Sequence, residues 1–245
     1  MQEITSKNNE LIKNISKLKE KKYRDIENKI ILEGYKVFLE AEKCNLKIDK
    51  ILTTTKILKS LNLRKYSDKL ILISEEVCKK LSSSVTSQNF FAVIEKPKNK
   101  VTNSNFLILD NIQDPQNLGA IIRTSVATNI LDIYCINCVD EYNEKVIRAS
   151  MGNVFKVNIN HIAVEDLERI CENATIYSAN MNGENLFKTE KPKTKFGLIL
   201  GNEGNGVSKD VEKFASNIIS IPMQNEVESL NVAVSMSIIA YYLSN

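Results

Sequence analysis

The sequence holds one histidine, His161, and no residue pattern with the spacing of a metal site. His161 follows a strand-like "VFKVNIN", lacks a cysteine or acidic neighbour at ligand spacing, and reads as a surface loop residue. Cysteines are few and odd in number, five scattered through apolar segments (Cys44, Cys78, Cys135, Cys138, Cys171). That argues against a disulfide framework and suits a reducing compartment. Cys135 and Cys138 form a C-x-x-C within "DIYCINCVD", a spacing open to redox or zinc chemistry. Against both, the segment reads as a strand, where positions i and i+3 face opposite sides, and no second ligand pair exists for a zinc ion. Long apolar runs are missing as well: none approaches the ~20 residues of a membrane helix. The nearest, "SLNVAVSMSIIAYYLSN", is uncharged and reads as a buried helix covered by a partner. The N-terminal "MQEITSKNNELIKNISKLKEKK" has no apolar core followed by small residues, so no signal peptide is expected and the cytoplasm is the default location. There is no internal repeat or low-complexity tract.

What is present is an ordinary globular composition, 43% apolar and 26% charged, over 245 residues, enough for two modest domains or one large one. The net charge of +3 conceals a division. Residues 1–100 carry 22 Lys and Arg against 13 Asp and Glu, while residues 101–245 carry 11 against 17. A basic first part suits attraction to phosphates and a mildly acidic second part a smaller ligand, although lysine-rich helices can be no more than solvated surfaces. Candidate RNA-facing cations such as Lys21, Lys22 and Arg24 are open to either reading. The boundary falls in "EKPKNKVTNSN", residues 95–105, polar and containing Pro97. The expected organisation is residues 1–97, a linker at 98–105, and residues 106–245.

The first part alternates helices and strands as a small α/β unit, beginning with a helix over residues 6–22. In the second part short, continuous apolar strands alternate with helices: "NFLILDNI", "DIYCINCV", "VFKVNI", "TIYSANM", "FGLILGN" and "IISIPM". Strands of that kind predict a parallel sheet covered on both faces. Ligands of such sheets sit beyond the carboxyl ends of the strands. Three loops therefore stand out: 110–124, 201–208 and 222–231. Glycine is scarce, eight in the chain, yet three of them fall in "GNEGNGVS". That loop is no Walker site, lacking the G-K-[ST] ending, and its G-x-x-G-x-G spacing is not the Rossmann fingerprint. It suits something uncharged or cationic.

The three loops resemble, in order, motifs 1 to 3 of the SpoU (TrmH-type) RNA ribose 2′-O-methyltransferases of the SPOUT superfamily: "DPQNLGAIIRT", "LILGNEGNGV" and "IPMQNEVESLNVAVS". The first 97 residues are more loosely similar to the L30e-like substrate-binding module. The resemblance implies an α/β fold with a carboxyl-terminal trefoil knot, S-adenosylmethionine as cofactor, RNA as substrate (ribosomal first, transfer RNA second), no metal, no membrane, and a homodimer packed through the knotted region. A non-catalytic RNA-binding protein on the same scaffold is the alternative. Cofactor contacts map to Gly201, Ile221, Met223 and Leu230. The catalytic set maps to Arg123, Asn117, Glu203, Ser229 and Asn231. A guanidinium keeps its proton in proteins, so Arg123 is expected to bind a neighbouring phosphate and stabilise a developing alkoxide, with phosphate or water taking the proton. Asn117 is equally an N-cap for its helix, and Ser229 an N-cap for the last one. Ser150 and Gly152 in "RASMGN" resemble a further family segment near the substrate. Where the family commonly has glycine after "IPM", this chain has Asn225, followed by Glu226, which leaves the geometry of that loop open.

Overall fold

A computed structural model describes residues 2–84, 86–98, 100, 102, 104–202, 204–224 and 229–244. The chain divides into two compact units, Met1–Pro97 with Tyr142–Phe155, and Lys98–Glu141 with Lys156–Asn245.

The first unit begins with β1 (Gln2–Ile4), α1 (Glu10–Lys17), α2 (Lys21–Glu27), β2 (Lys29–Glu33) and α3 (Tyr35–Lys43). It continues through β3 (Ile48–Thr53), α4 (Thr55–Leu58), β4 (Leu70–Ile73), α5 (Glu75–Leu81) and β5 (Phe90–Glu95). Its sheet has the order β1-β4-β3-β5-β2, with β5 antiparallel to β2 and β3 and the other pairs parallel. The single helix that periodicity suggests over residues 6–22 is two helices. Arg24, only 4% exposed, explains the break: its guanidinium donates to the carbonyls of Leu18 (2.9 Å) and Lys19 (2.6 Å), satisfying acceptors that the end of α1 leaves open. Arg24 is thus committed to the fold, and Lys21 pairs with Asp25 at 2.9 Å. Ile12 and Ile15 on the inner face of α1 join Leu52, Ile71, Val77 and Phe91 in one core.

The second unit contains β6 (Phe106–Asp110), α6 (Pro115–Ala127), β7 (Asp132–Ile136), β8 (Asn158–His161), α8 (Leu167–Cys171) and β9 (Thr175–Asn185). It ends with β10 (Phe196–Leu200), α9 (Lys209–Glu212), β11 (Asn217–Ser220) and α10 (Val232–Ser244). Helix α7 (Glu144–Ala149), which the alternation places between β7 and β8, belongs to the first unit. The six strands, ordered β11-β9-β10-β6-β7-β8, are all parallel. Every residue of "FLILD" and "FGLIL" is buried, as central strands of a two-sided sheet require. The stretch read as a linker is tied to this sheet. Thr102 donates through its N–H (3.0 Å) and hydroxyl (2.8 Å) to buried Asp132, which also accepts from Asn158 (2.7 Å).

Two local readings are corrected. His161 ends β8 instead of sitting in a loop, and its Nε2 lies 2.7 Å from a Glu141 carboxylate oxygen, a partner twenty residues away that local spacing could not reveal. The strand carrying Cys135 stops at Ile136, and Asn137 is left-handed at φ 48°. Cys138 therefore lies beyond the strand, outside the alternation of faces, and its thiol donates to the Leu109 carbonyl of β6 at 3.2 Å.

Candidate active site

The carboxyl ends of β10 and β11, with the middle of β9, border a cavity of about 510 Å³. At the end of β10 the chain makes a tight return: Asn202 and Gly206 exchange backbone hydrogen bonds of 3.0 and 2.8 Å, and the Asn202 carboxamide accepts from the Gly204 N–H. Gly201 is obligatory here, because a Cβ on it would fall inside the backbone of Gly206 and Val207. The turn is fixed from below. Asn202 donates to the Asn111 carbonyl (3.1 Å), and the Ser208 N–H donates to buried Asp110 (2.7 Å).

Gly201, Ile221, Met223, Leu230 and Ser229 all line this cavity. Asn231 stands one residue outside it and caps α10, its carboxamide oxygen accepting from Ala233 (2.9 Å) and Val234 (3.3 Å) while its nitrogen donates to Asn117 (2.8 Å). That settles two alternatives. The N-cap of α6 is Asp114, which accepts from Gln116, so Asn117 lies inside the first turn, and the cap of α10 is Asn231 instead of Ser229. Arg123 is exposed on α6 and does not line the cavity; no hydrogen bond or ion pair holds it among the described residues. Glu203, Asn225 and Glu226 lie outside the described residues. Ser150 is fully buried at the carboxyl cap of α7 and donates to the Ile147 carbonyl, so its hydroxyl is used by the helix it caps.

Sequence reasoning missed the wall that β9 supplies, Ala179, Asn180 and Met181. Glu212 fixes Asn180 by accepting from its carboxamide at 2.8 Å. The available signal was "TIYSANM", an apolar strand running into polar residues, the same transition that identified the other loops. Among the described residues the lining carries no ionisable side chain: amides, hydroxyls, glycine backbone and the apolar Ile221, Leu230 and Val232 make up the walls. A cleft of this size with apolar walls and a few fixed polar groups suits a small organic molecule with a flat apolar part. Also among the described residues, no group of three or more His, Cys, Asp and Glu side chains could hold a metal ion, and no helix is long and apolar enough to cross a membrane.

Known proteins share this architecture. Over 252 residues the chain is 29% identical to the 23S rRNA (guanosine(2553)-2'-O)-methyltransferase RlmP of Bacillus subtilis, covering 99% of both chains. It is 34% identical over 209 residues to an uncharacterized tRNA/rRNA methyltransferase of Borreliella burgdorferi, covering 82% of this chain and 88% of that one. A TrmH-family structure from Porphyromonas gingivalis superposes with a TM-score of 0.83 at 28% identity, covering 95% and 96% of the two chains. Residues 9–92 match an MRM3-like substrate binding domain. With residues 104–241 matching the family model over more than half its length, the chain belongs to the SpoU rRNA Methylase family.

Proposed function

We propose that this protein methylates the 2′-hydroxyl of a ribose in RNA, ribosomal RNA first and transfer RNA second, using S-adenosylmethionine. The observation that carries the reading is the 510 Å³ cavity, where Gly201, Ile221, Met223 and Leu230 from two family motifs converge at the ends of parallel strands. The donor fits the residues present. The glycine turn is a cradle that a Cβ would fill, Ile221 and Leu230 offer apolar contact to an adenine ring, and the uncharged lining presents amide and hydroxyl oxygens to a positive sulfur. S-adenosylmethionine supplies a methyl group on a sulfonium, which an in-line nucleophile can accept without further activation of the donor.

The chain's own task is to seat the ribose and manage the hydroxyl proton. Ser229, at the cavity wall, is placed to hold a ribose hydroxyl. Asn231 and Asn117 fix the end of α10 against α6, so that the 229–231 backbone keeps its position. Arg123, with its guanidinium uncommitted among the described residues, binds the phosphate beside the target nucleotide and stabilises the oxygen as its proton passes to phosphate or water.

The reading extends to the rest of the molecule. The first 97 residues act as the RNA-receiving domain, as their basic balance and the substrate-binding match support. A trefoil knot in the carboxyl-terminal stretch is supported by the strand order, with β11 outside β9 and α10 returning to α6 through a Thr124–Ser237 hydrogen bond. A homodimer is supported by Val234 and Tyr241, 48% and 51% exposed on α10. Action on cellular RNA places the protein in the cytoplasm. The test is incubation of the full chain with methyl-labelled S-adenosylmethionine and, separately, ribosomal and transfer RNA. Label recovered as a 2′-O-methyl nucleoside is expected. RNA retention without cofactor binding or label would instead identify a non-catalytic RNA-binding protein.

A further inference from the structure

Cys135 and Cys138 take no part in the cavity. Cys135 is the register partner of Leu109 on β6 and is 1% exposed, whereas Cys138 is half-buried. The Cys138 thiol donates to the Leu109 carbonyl at 3.2 Å, so both cysteines meet the same residue of β6, one through strand register and one through its side chain. The pair thus sits against Leu109, directly before Asp110 and Asn111. Those residues hold the glycine turn, through Asp110 to the Ser208 N–H and the Asn111 carbonyl to Asn202. The Cys135 thiol beside it, and after that the Ile112 backbone amide, hold Cys138 below the usual thiol range, while Cys138 and burial push Cys135 up. The more exposed sulfur is therefore also the one that ionises first, as a redox nucleophile requires. Cys78 and Cys171, each pushed up to about 11 by burial, stay protonated and serve as internal controls.

We propose that Cys135 and Cys138 are a redox pair which a peroxide closes to a disulfide, and that this bond loosens the glycine turn. The Cys138 thiolate attacks one peroxide oxygen and breaks the O–O bond; sulfur is oxidised to a sulfenic acid, and the departing hydroxide takes up a proton to become water. The Cys135 sulfur then attacks the Cys138 sulfur, giving up its own proton as the S–O bond breaks and a second water leaves. Two thiols and one hydrogen peroxide become one disulfide and two waters. Closure removes the Cys138 S–H from the carbonyl of Leu109, the residue directly before the two that support the turn.

The experiment treats the full chain with hydrogen peroxide, maps the cysteines by alkylation and mass spectrometry, and measures S-adenosylmethionine affinity by calorimetry before and after dithiothreitol. The expected result is a loss of two hydrogen masses, with Cys135 and Cys138 protected from alkylation until reduced and Cys78 and Cys171 unchanged. Cofactor affinity should fall about tenfold, an ordinary strength of coupling between sites, and recover on reduction. In Cys138→Ser and Cys135→Ser the mass loss and the affinity change should both vanish, while the untreated variants still bind the cofactor. The proposal is overturned if both cysteines remain alkylatable after peroxide, or if the disulfide forms and affinity does not move. Its second half rests on the cavity being the cofactor site. Untreated protein that binds no S-adenosylmethionine would break that reading, whereas the peptide map judges the thiol pair independently.

Discussion

Two cavities of the second unit, about 510 and 610 Å³, are similar in size, and their described walls have opposite character. Beside the glycine turn the described lining has no ionisable group. The other, bounded by β7, β8 and α8, is lined by His161, Asp166, Arg169, Glu172 and Lys195 along with Tyr134 and Asn160. The larger cavity is not the one the family motifs converge on. Volume therefore does not distinguish them; what does is backbone forced by glycine at strand ends, with amide groups already fixed by neighbours. A wall of mixed charges can satisfy itself and solvent without a ligand, whereas a wall of uncharged polar atoms and aliphatic carbon is matched by a cationic, flat molecule.

The largest effect expected lies outside both cavities. Arg123→Ala should lower turnover by about 10²–10³, the usual cost of removing one group that meets charge developing in a transition state. Calorimetry with S-adenosylmethionine should be unchanged, because Arg123 does not line the cavity. Arg123→Lys should recover little if the guanidinium meets phosphate with two parallel donors. Turnover retained in Arg123→Ala would remove this residue from the mechanism. Next comes Gly201→Ala. The added Cβ collides with the backbone of Gly206 and Val207, which cannot swing aside as a side chain would. Overpacking of about 2 kcal/mol corresponds to roughly thirtyfold weaker cofactor binding if it falls on the bound state. Unaltered affinity would show that the donor does not use this turn.

Much of the frame was legible because burial writes itself into parallel strands. "FLILD" and "FGLIL" are continuous apolar runs, and they are the two central strands. The glycine turn was legible for a related reason, since three glycines crowded after such a strand mark backbone brought close to something. Less legible were features set by partners distant in sequence. Alternation announces that "EKVIRASMG" is a helix with a buried side, but not which core buries it, and α7 belongs to the first unit. Strand β9 runs on to Asn185, beyond the apolar signal, because β11 pairs with Glu184 and Asn185 after an irregularity at Ile218 and Ile219. The turn that carries the Cys138 thiol to the Leu109 carbonyl has Asn137 in a left-handed backbone. Seven asparagines with positive φ, at 28, 45, 89, 111, 129, 137 and 173, supply among the described residues turns for which this glycine-poor chain has few glycines. In the candidate site, the carboxamides were visible as residue types. Their division of labour, with Asn231 as cap and Asn117 as its partner, required the helix ends to be known.

A smaller effect is expected of Asn231→Ala. It removes the cap of α10 and leaves the Asn117 oxygen without this donor. The cost to stability is about 1–2 kcal/mol, read as a lower midpoint in urea with little change in slope. Asn231→Asp should keep the cap, since its carboxylate still accepts from the Ala233 and Val234 N–H groups, but should lose the donation to Asn117. An intermediate midpoint for Asn231→Asp would separate the two contributions; equal midpoints for both variants would show that the cap contributes nothing.

The smallest effect should come from the charged cavity, and it bears most directly on which cavity is the site. Arg169 is exposed on α8 and belongs to that lining. Truncating an exposed cation usually shifts stability by less than about 0.5 kcal/mol, and sites with no shared partners add independently. Arg169→Ala should therefore leave S-adenosylmethionine affinity within about twofold, and its effect should simply add to that of Gly201→Ala in the double variant. If Arg169→Ala weakened cofactor binding more than Gly201→Ala does, the cofactor would belong in the charged cavity, and the uncharged walls beside the glycine turn would need another ligand.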